Sequence, residues 1–205
     1  KLRNLAAYHI LYSKINYVFR SGGYVRTDEE HAMVEEISEH PLIKGKNTAQ
    51  SRRAATICFY TQGFCQWAKR DWVQSFEKFS RAKQILDDNP LIKADLPKRY
   101  IRTLHYLIQC LIELGRFKEA RDSIKQLRAL DGQEGFAGID IHVHIFNASY
   151  LTELRMLDRM GEQVKALEMV QPIITGLEEL GPRLHKEYEL EFYFNLACVH
   201  FGANE

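Results

Sequence analysis

The sequence predicts an all-α fold, an α-α solenoid of antiparallel helix hairpins with about nine helices. The strongest observation is a recurring pattern in which a glycine or polar turn is followed by a small residue and then by apolar ones. It reads Leu114-Gly115-Arg116-Phe117-Lys118-Glu119-Ala120 with Ile124 and Leu127 beyond, Lys69-Arg70-Asp71-Trp72-Val73-Gln74-Ser75 with Phe79 and Ala82, and Met160-Gly161-Glu162-Gln163-Val164-Lys165-Ala166 with Val170 and Ile173. A fainter copy puts Ala32 in the acidic segment 28–39. The small residues Ala32, Ser75, Ala120 and Ala166 follow one another at intervals of 43, 45 and 46. A near-constant period of this size marks stacked helical units. The second observation is apolar spacing of three and four between the turns, which places those residues on one helical face. The third is composition: 205 residues with 45% apolar and 27% charged content can bury a sizeable core and stay solvated outside.

The elements follow in chain order. From Leu2 to about Arg20, the residues Leu5, Tyr8, Leu11, Tyr12, Ile15 and Phe19 share a helical face, and Ser21-Gly22-Gly23 stops that helix. Thr27 is a good N-cap, with Asp28, Glu29 and Glu30 complementing the dipole of a second helix that reaches about His40 before Pro41. An aromatic third helix spans about Thr48 to Ala68 and a fourth Trp72 to Leu86, ended by Asp87-Asp88-Asn89-Pro90. The fifth runs from about Asp95 to Leu114 and the sixth from Phe117 to Leu130. The connector Gly132 to Gly138 lacks a GxGxxG pattern, a P-loop Lys-Ser/Thr and a preceding strand, so it reads as a loop between hairpins. The seventh helix covers about Ile139 to Met160, the eighth Glu162 to Leu180 before Gly181-Pro182, and the ninth His185 to Phe201. The expected organisation is one domain over 1–205, with hairpins at about 2–40, 48–86, 95–130 and 139–180 and a final helix at 185–201. The absence of an initial methionine suggests a fragment of a longer chain.

Charge and cysteine usage exclude several classes. With 28 basic and 27 acidic residues the net charge is +1, so no global field draws the chain to nucleic acid. Apolar runs such as Leu107-Ile108-Gln109-Cys110-Leu111-Ile112 stop far short of the ~20 residues that cross a bilayer, and the first residues do not read as a secretory leader. Cys58, Cys65, Cys110 and Cys198 form no CxxC pair and sit in apolar helical stretches, as small buried hydrophobes do; a reducing, cytoplasmic location is expected.

These residues resemble tetratricopeptide repeats. Leu104, Leu107 and Leu111 match the family's first helix, and Gly115, Phe117, Ala120, Ile124 and Leu127 its turn and second helix. Phe59, Gly63, Trp72, Ser75, Phe79 and Ala82 match in the preceding copy, Tyr150, Leu154, Leu157, Gly161, Ala166, Val170 and Ile173 in the following one, and Tyr193, Leu196 and Ala197 in a last half-copy. Ile108 stands where the family places a small residue. The period also exceeds the usual ~34, which helices longer by about a turn and a half would supply. The resemblance implies a right-handed superhelix whose first helices line a concave face. Its inner-face positions fall on Tyr60, Phe64 and Trp67; on Arg102, His105, Tyr106 and Gln109; on Leu151, Thr152, Arg155 and Arg159; and on Glu191, Phe194 and Asn195. Aromatic and arginine residues dominate binding hot spots, so the implied ligand is a protein or extended peptide carrying an acidic group. The lysine and asparagine clamp of the family's chaperone-binding members is replaced here by scattered Arg, Gln and Asn.

Chemistry is poorly represented. Asp140, His142 and His144 form the one close cluster among eight histidines, but residues two apart on a helix point about 200° from each other and cannot share a metal there. HExxH, GxSxG and kinase signatures are absent. Glu35-Glu36 and Glu187, Glu189 and Glu191 read as solvated helix faces. No catalytic residue, metal site or cofactor is assigned. The expected function is a non-catalytic protein- or peptide-binding scaffold. The alternatives are a sensory or regulatory region of a larger signalling or transcription-regulating protein, and a helical-repeat enzyme using Arg102, His105 and Arg155. The final helix, with Leu190, Phe192, Tyr193, Phe194, Leu196, Val199 and Phe201, is apolar on nearly all sides, so self-association through it is also expected, as is a missing tenth helix.

Overall fold

The computed structural model describes residues 28–44, 48–136, 140–180 and 186–203, together with Ile10 and Ser13. The expected first helix, its Ser21-Gly22-Gly23 stop, the Thr27 cap and the Gly181-Pro182 break lie outside these residues. So do the side chains of Asp140, His142, His144, Glu187, Glu189 and Glu191. All regular structure among the described residues is helical: α1 (Asp28–Glu39), α2 (Pro41–Lys44), α3 (Ala49–Ala68), α4 (Trp72–Asp87), α5 (Pro90–Asp95), α6 (Pro97–Glu113), α7 (Phe117–Arg128), α8 (Asp140–Arg159), α9 (Gln163–Leu180) and α10 (Lys186–Ala203). The chain forms two compact units, Lys1–Cys110 and Leu111–Glu205, with the division inside α6.

Caps and prolines explain the boundaries. Thr48 accepts from the Ser51 N–H while the Ser51 hydroxyl accepts from the Thr48 N–H, a reciprocal cap that opens α3. Asp71 caps α4 through the N–H of Gln74. Asp87-Asp88-Asn89 does end α4, yet Pro90 at once opens a short helix that the stop signal conceals. Pro41 and Pro97 likewise open α2 and α6. Proline suits a first turn because its missing N–H has no partner there.

The three strong sequence copies share one turn. Arg70 donates to the Trp67 carbonyl and Asp71 to that of Gln66, Gly115 to Ile112 and Arg116 to Leu111, Gly161 to Asp158 and Glu162 to Leu157. Each is a helix end closed by paired five-back and three-back bonds around a left-handed residue. The left-handed residue is Gly115 at φ 70° and Gly161 at φ 73° in two copies, and Arg70 at φ 61° in the third. The polar turn of the earlier copy is thus the same structure built without glycine.

In the first unit, α3 packs against α1, α2 and α4. Its core joins Ile57, Tyr60 and Phe64 of α3 to Phe79, Ala82 and Leu86 of α4 and to Tyr100, Ile101 and Leu104 of α6. Each of the larger aliphatic and phenyl side chains contributes about 1.5–3 kcal/mol by leaving water. Gly63 is what lets α4 close on α3, because a Cβ there would lie 3.0 Å from the Phe79 ring. Ser75, the small residue of this copy, is fully buried. Its hydroxyl donates to the Gly63 carbonyl at 2.9 Å and receives the Cys110 thiol at 3.2 Å. Asp87 ties the end of α4 to α5 and α6, holding Lys83 at 2.6 Å, Lys93 at 3.2 Å and the Tyr100 hydroxyl at 2.8 Å. Burial pushes its carboxyl up, but these donors outweigh burial and hold it below the usual range.

In the second unit, α8, α9 and α10 pack on one another and α7 packs on α8. Leu151, Leu154 and Leu157, Ala166 and Ile173, and Phe192 and Val199 form an aliphatic core across the three helices. Ala120 and Ala166 are fully buried, as close helix crossings require, whereas Ala32 of the faint copy is exposed. The close-packing reason for a small residue does not extend to that position. A solvent-exposed alanine needs no crossing to explain it.

Candidate functional site

The residues named on α3 and α6 converge in the first unit. Tyr106 is the centre: its ring lies 5.2 Å from Trp67, 5.3 Å from Phe64 and 6.2 Å from Tyr60 by edge contacts, and stacks on Phe79 at 5.5 Å and 11°. Trp67 also stacks on Phe64 at 5.9 Å and meets Trp72 edge-on at 6.4 Å. All these separations lie in the 4.5–7 Å range of favourable aromatic pairs. The spacing of four between Tyr60 and Phe64, and of three to Trp67, keeps the α3 rings on one face. Tyr60 and Phe64 are buried and make the floor, while Trp67 and Tyr106 are half-buried and reach the surface.

A polar row runs beside the rings along α6. Arg99, Arg102, His105 or Tyr106, and Gln109 recur at helical spacing, and Arg102, His105 and Gln109 are half-buried. The Arg99 guanidinium lies 4.2 Å over the Tyr60 ring. Burial pushes the Tyr60 phenol up, against the opposing charges and hydrogen bonds of Arg99 and Arg102. Gln109 Nε2 is 2.9 Å from His105 Nε2. An amide nitrogen only donates, so the ring nitrogen accepts and His105 is neutral. Burial first, and the Arg102 charge second, hold that ring down at about 4. The Trp67 indole Nε1 is buried and has no hydrogen-bond acceptor among the described residues.

The remaining predicted residues belong to the second unit and do different work. Arg155 and Arg159, one turn apart on α8, both pair with Glu113, whose carboxylate is almost buried; Arg159 does so at 3.1 Å. Glu113 thus answers one of the two charges within the fold, and Arg155 is the less exposed partner. Leu151, Thr152 and Asn195 are buried, and Phe194 is exposed. An open cleft of about 530 Å³, which sequence reasoning missed, lies among α7, α8 and α9. Leu157, Met169, Pro172 and Ile173 line it, and Arg121, Lys165 and Glu168 add charge. Arg128 at its edge is held by Glu153 at 2.6 Å, by the Ser149 hydroxyl at 3.0 Å and by the Tyr150 ring at 4.0 Å. The signal was available as Arg121 and Arg128 seven apart on α7 and Lys165 near the start of α9, but nothing local says that three helices meet there.

Among the described residues no group of three or more His, Cys, Asp or Glu could hold a metal ion. Burial, and Glu35 after it, push the Cys58 thiol up to about 12, which makes it inert at neutral pH. No helix of the described residues is long and apolar enough to cross a membrane. No family model, no curated protein and no solved structure matches this chain.

Proposed function

We propose that this chain is a non-catalytic protein- or peptide-binding module, TPR-like in its hairpins, and that its contact surface is the face of α3 and α6 around Trp67 and Tyr106. The observation that carries the reading is the Trp67 indole, a buried N–H donor without an acceptor on the rim of an aromatic patch. Such a donor costs about 1–3 kcal/mol when left unpaired, and a shift of the Trp67 side chain that opens it to a peptide carbonyl or carboxylate satisfies it. Arg102, one turn before Tyr106 on α6, supplies positive charge, which supports an acidic group in the ligand. Trp, Tyr and Arg are the residue types that concentrate binding energy, and the packing of Tyr106 among four rings holds them in place before a partner arrives. The helical-repeat enzyme reading loses support at His105. A ring held near 4 has little proton affinity at neutral pH and makes a poor general base.

The test is a direct binding measurement against an array of extended peptides of graded acidity, read by titration calorimetry. Acidic peptides are expected to bind in the micromolar range, Trp67→Phe to weaken them about tenfold, and Arg102→Gln to remove the preference for acidic over neutral sequences. Tyr60→Ala is a poor probe because Tyr60 is core. Binding that is indifferent to both Trp67 and Arg102 removes this surface from consideration.

A further inference from the structure

The last helix carries two apolar faces, and only one of them is covered. On a helix of 100° per residue, Phe192, Asn195 and Val199 lie together, and all three are buried in the second unit. Leu190, Tyr193, Phe194, Ala197 and Phe201 lie on the opposite side within an arc of about 100°. They are exposed, Leu190 by 69%, Tyr193 by 58%, Phe194 by 69% and Phe201 by 86%. Isolated exposed hydrophobics need no explanation, but a contiguous stripe rimmed by polar residues marks a contact surface. A helix apolar all round belongs in a core.

We infer that this stripe is a self-association surface that pairs antiparallel with the same helix of a second copy. Two properties favour a second copy over an unrelated protein. The stripe is self-complementary: reversal about the midpoint between Asn195 and Leu196 sets Leu190 opposite Phe201 and the large Phe194 opposite the small Ala197. Large-into-small pairing is what a two-fold interface requires, because one patch must serve as both partners. The area is also sufficient. Three aromatics and a leucine at these exposures present roughly 500 Å² per copy, so a pair buries roughly 1,000 Å², the lower bound of specific interfaces. No charged side chain lies among the five stripe positions, so pairing strands no ion. An interface of this size lies at the weak, exchanging end of specific contacts. This surface is independent of the α3–α6 face.

Sedimentation equilibrium of the 205-residue chain from 1 to 200 µM tests it. The expected mass rises from one copy towards two, and Phe194→Glu, at a position 69% exposed, raises the dimer Kd at least tenfold with an unchanged helical spectrum. A single-copy mass throughout that range overturns the inference, and so does a dimer that survives Phe194→Glu. Orientation is read with cysteines in a Cys198→Ser background. Leu190→Cys mixed with Phe201→Cys should cross-link between the two variants. Cross-linking of Leu190→Cys to itself alone overturns the antiparallel register.

Discussion

The hairpin of α3 and α4 and that of α8 and α9 share one turn and one buried small residue, yet solve the same packing problem in opposite ways. Counted back from the left-handed residue of the turn, Gly63 of the first occupies the place of Leu154 in the second. Counted forward, Phe79 occupies the place of Val170. In the first hairpin the gap left by glycine is filled by a phenyl ring from the opposite helix; in the second, leucine faces a smaller valine, packed against the aliphatic core. The intermediate copy has Ile108 and Ile124 at these places, both buried. Combined volume is roughly conserved while the donor helix changes, as interiors of crystal-like density demand. The exchange also sets chemistry, because the aromatic solution places Phe79 beneath Tyr106 and supports the Trp67 surface, whereas the aliphatic one supports no such patch.

The largest effect should come from breaking the exchange on the aromatic side. Phe79→Ala empties a fully buried ring and is expected to cost about 3–5 kcal/mol in chemical denaturation. Gly63→Leu drives a side chain into the same ring and is expected to cost about 1–3 kcal/mol or more. The comparison is sharpened by the double variant Gly63→Leu, Phe79→Val, which copies the α8–α9 solution. It should recover at least half of the Gly63→Leu loss, and a strictly additive result would refute the compensation. A smaller effect separates the turns. Arg70→Gly should stabilise by about 0.5–1 kcal/mol by relieving a left-handed arginine, while Gly161→Ala should destabilise by a similar amount, so thermal midpoints should move in opposite directions.

An electrostatic effect is confined to the aromatic side and shows only below pH 6.5. His105 titrates near 4 in the folded chain and near its usual 6.5 when unfolded. The unfolded chain therefore binds more protons between these values. The stabilisation is complete above pH 6.5 and is lost as pH falls towards 4, with a slope of at most about 1.4 kcal/mol per pH unit. Urea midpoints at pH 7 and pH 5 should converge in His105→Gln relative to the wild type.

Legibility differed between elements for physical reasons. Helix identity and the turn positions were readable because periodicity and capping are local: α3, α4, α7, α8, α9 and α10 begin within a residue or two of their expected starts. The short α5 was hidden because Asn89-Pro90 serves equally as an end and as a beginning. Arg70 was read only as polar, since no local signal reveals a positive φ in a residue other than glycine. Among the site residues, Trp67, Arg102, His105, Tyr106 and Gln109 were named from helical position and do gather on one face. Tyr60 and Asn195, named by the same rule, are core. Helical position distinguishes the sides of a helix, but not which of two apolar sides another helix covers.

By itself the sequence determined the helices, the recurring turn and the small residues at the crossings, because spacing along one chain encodes helical faces and backbone turns directly. Three features waited for tertiary structure. They are the convergence on Tyr106, the capture of Arg155 and Arg159 by a nearly buried Glu113, and the bare side of α10. Each depends on residues far apart in sequence. A ring, a guanidinium or an apolar stripe becomes core, ion pair or surface only through what another helix brings against it.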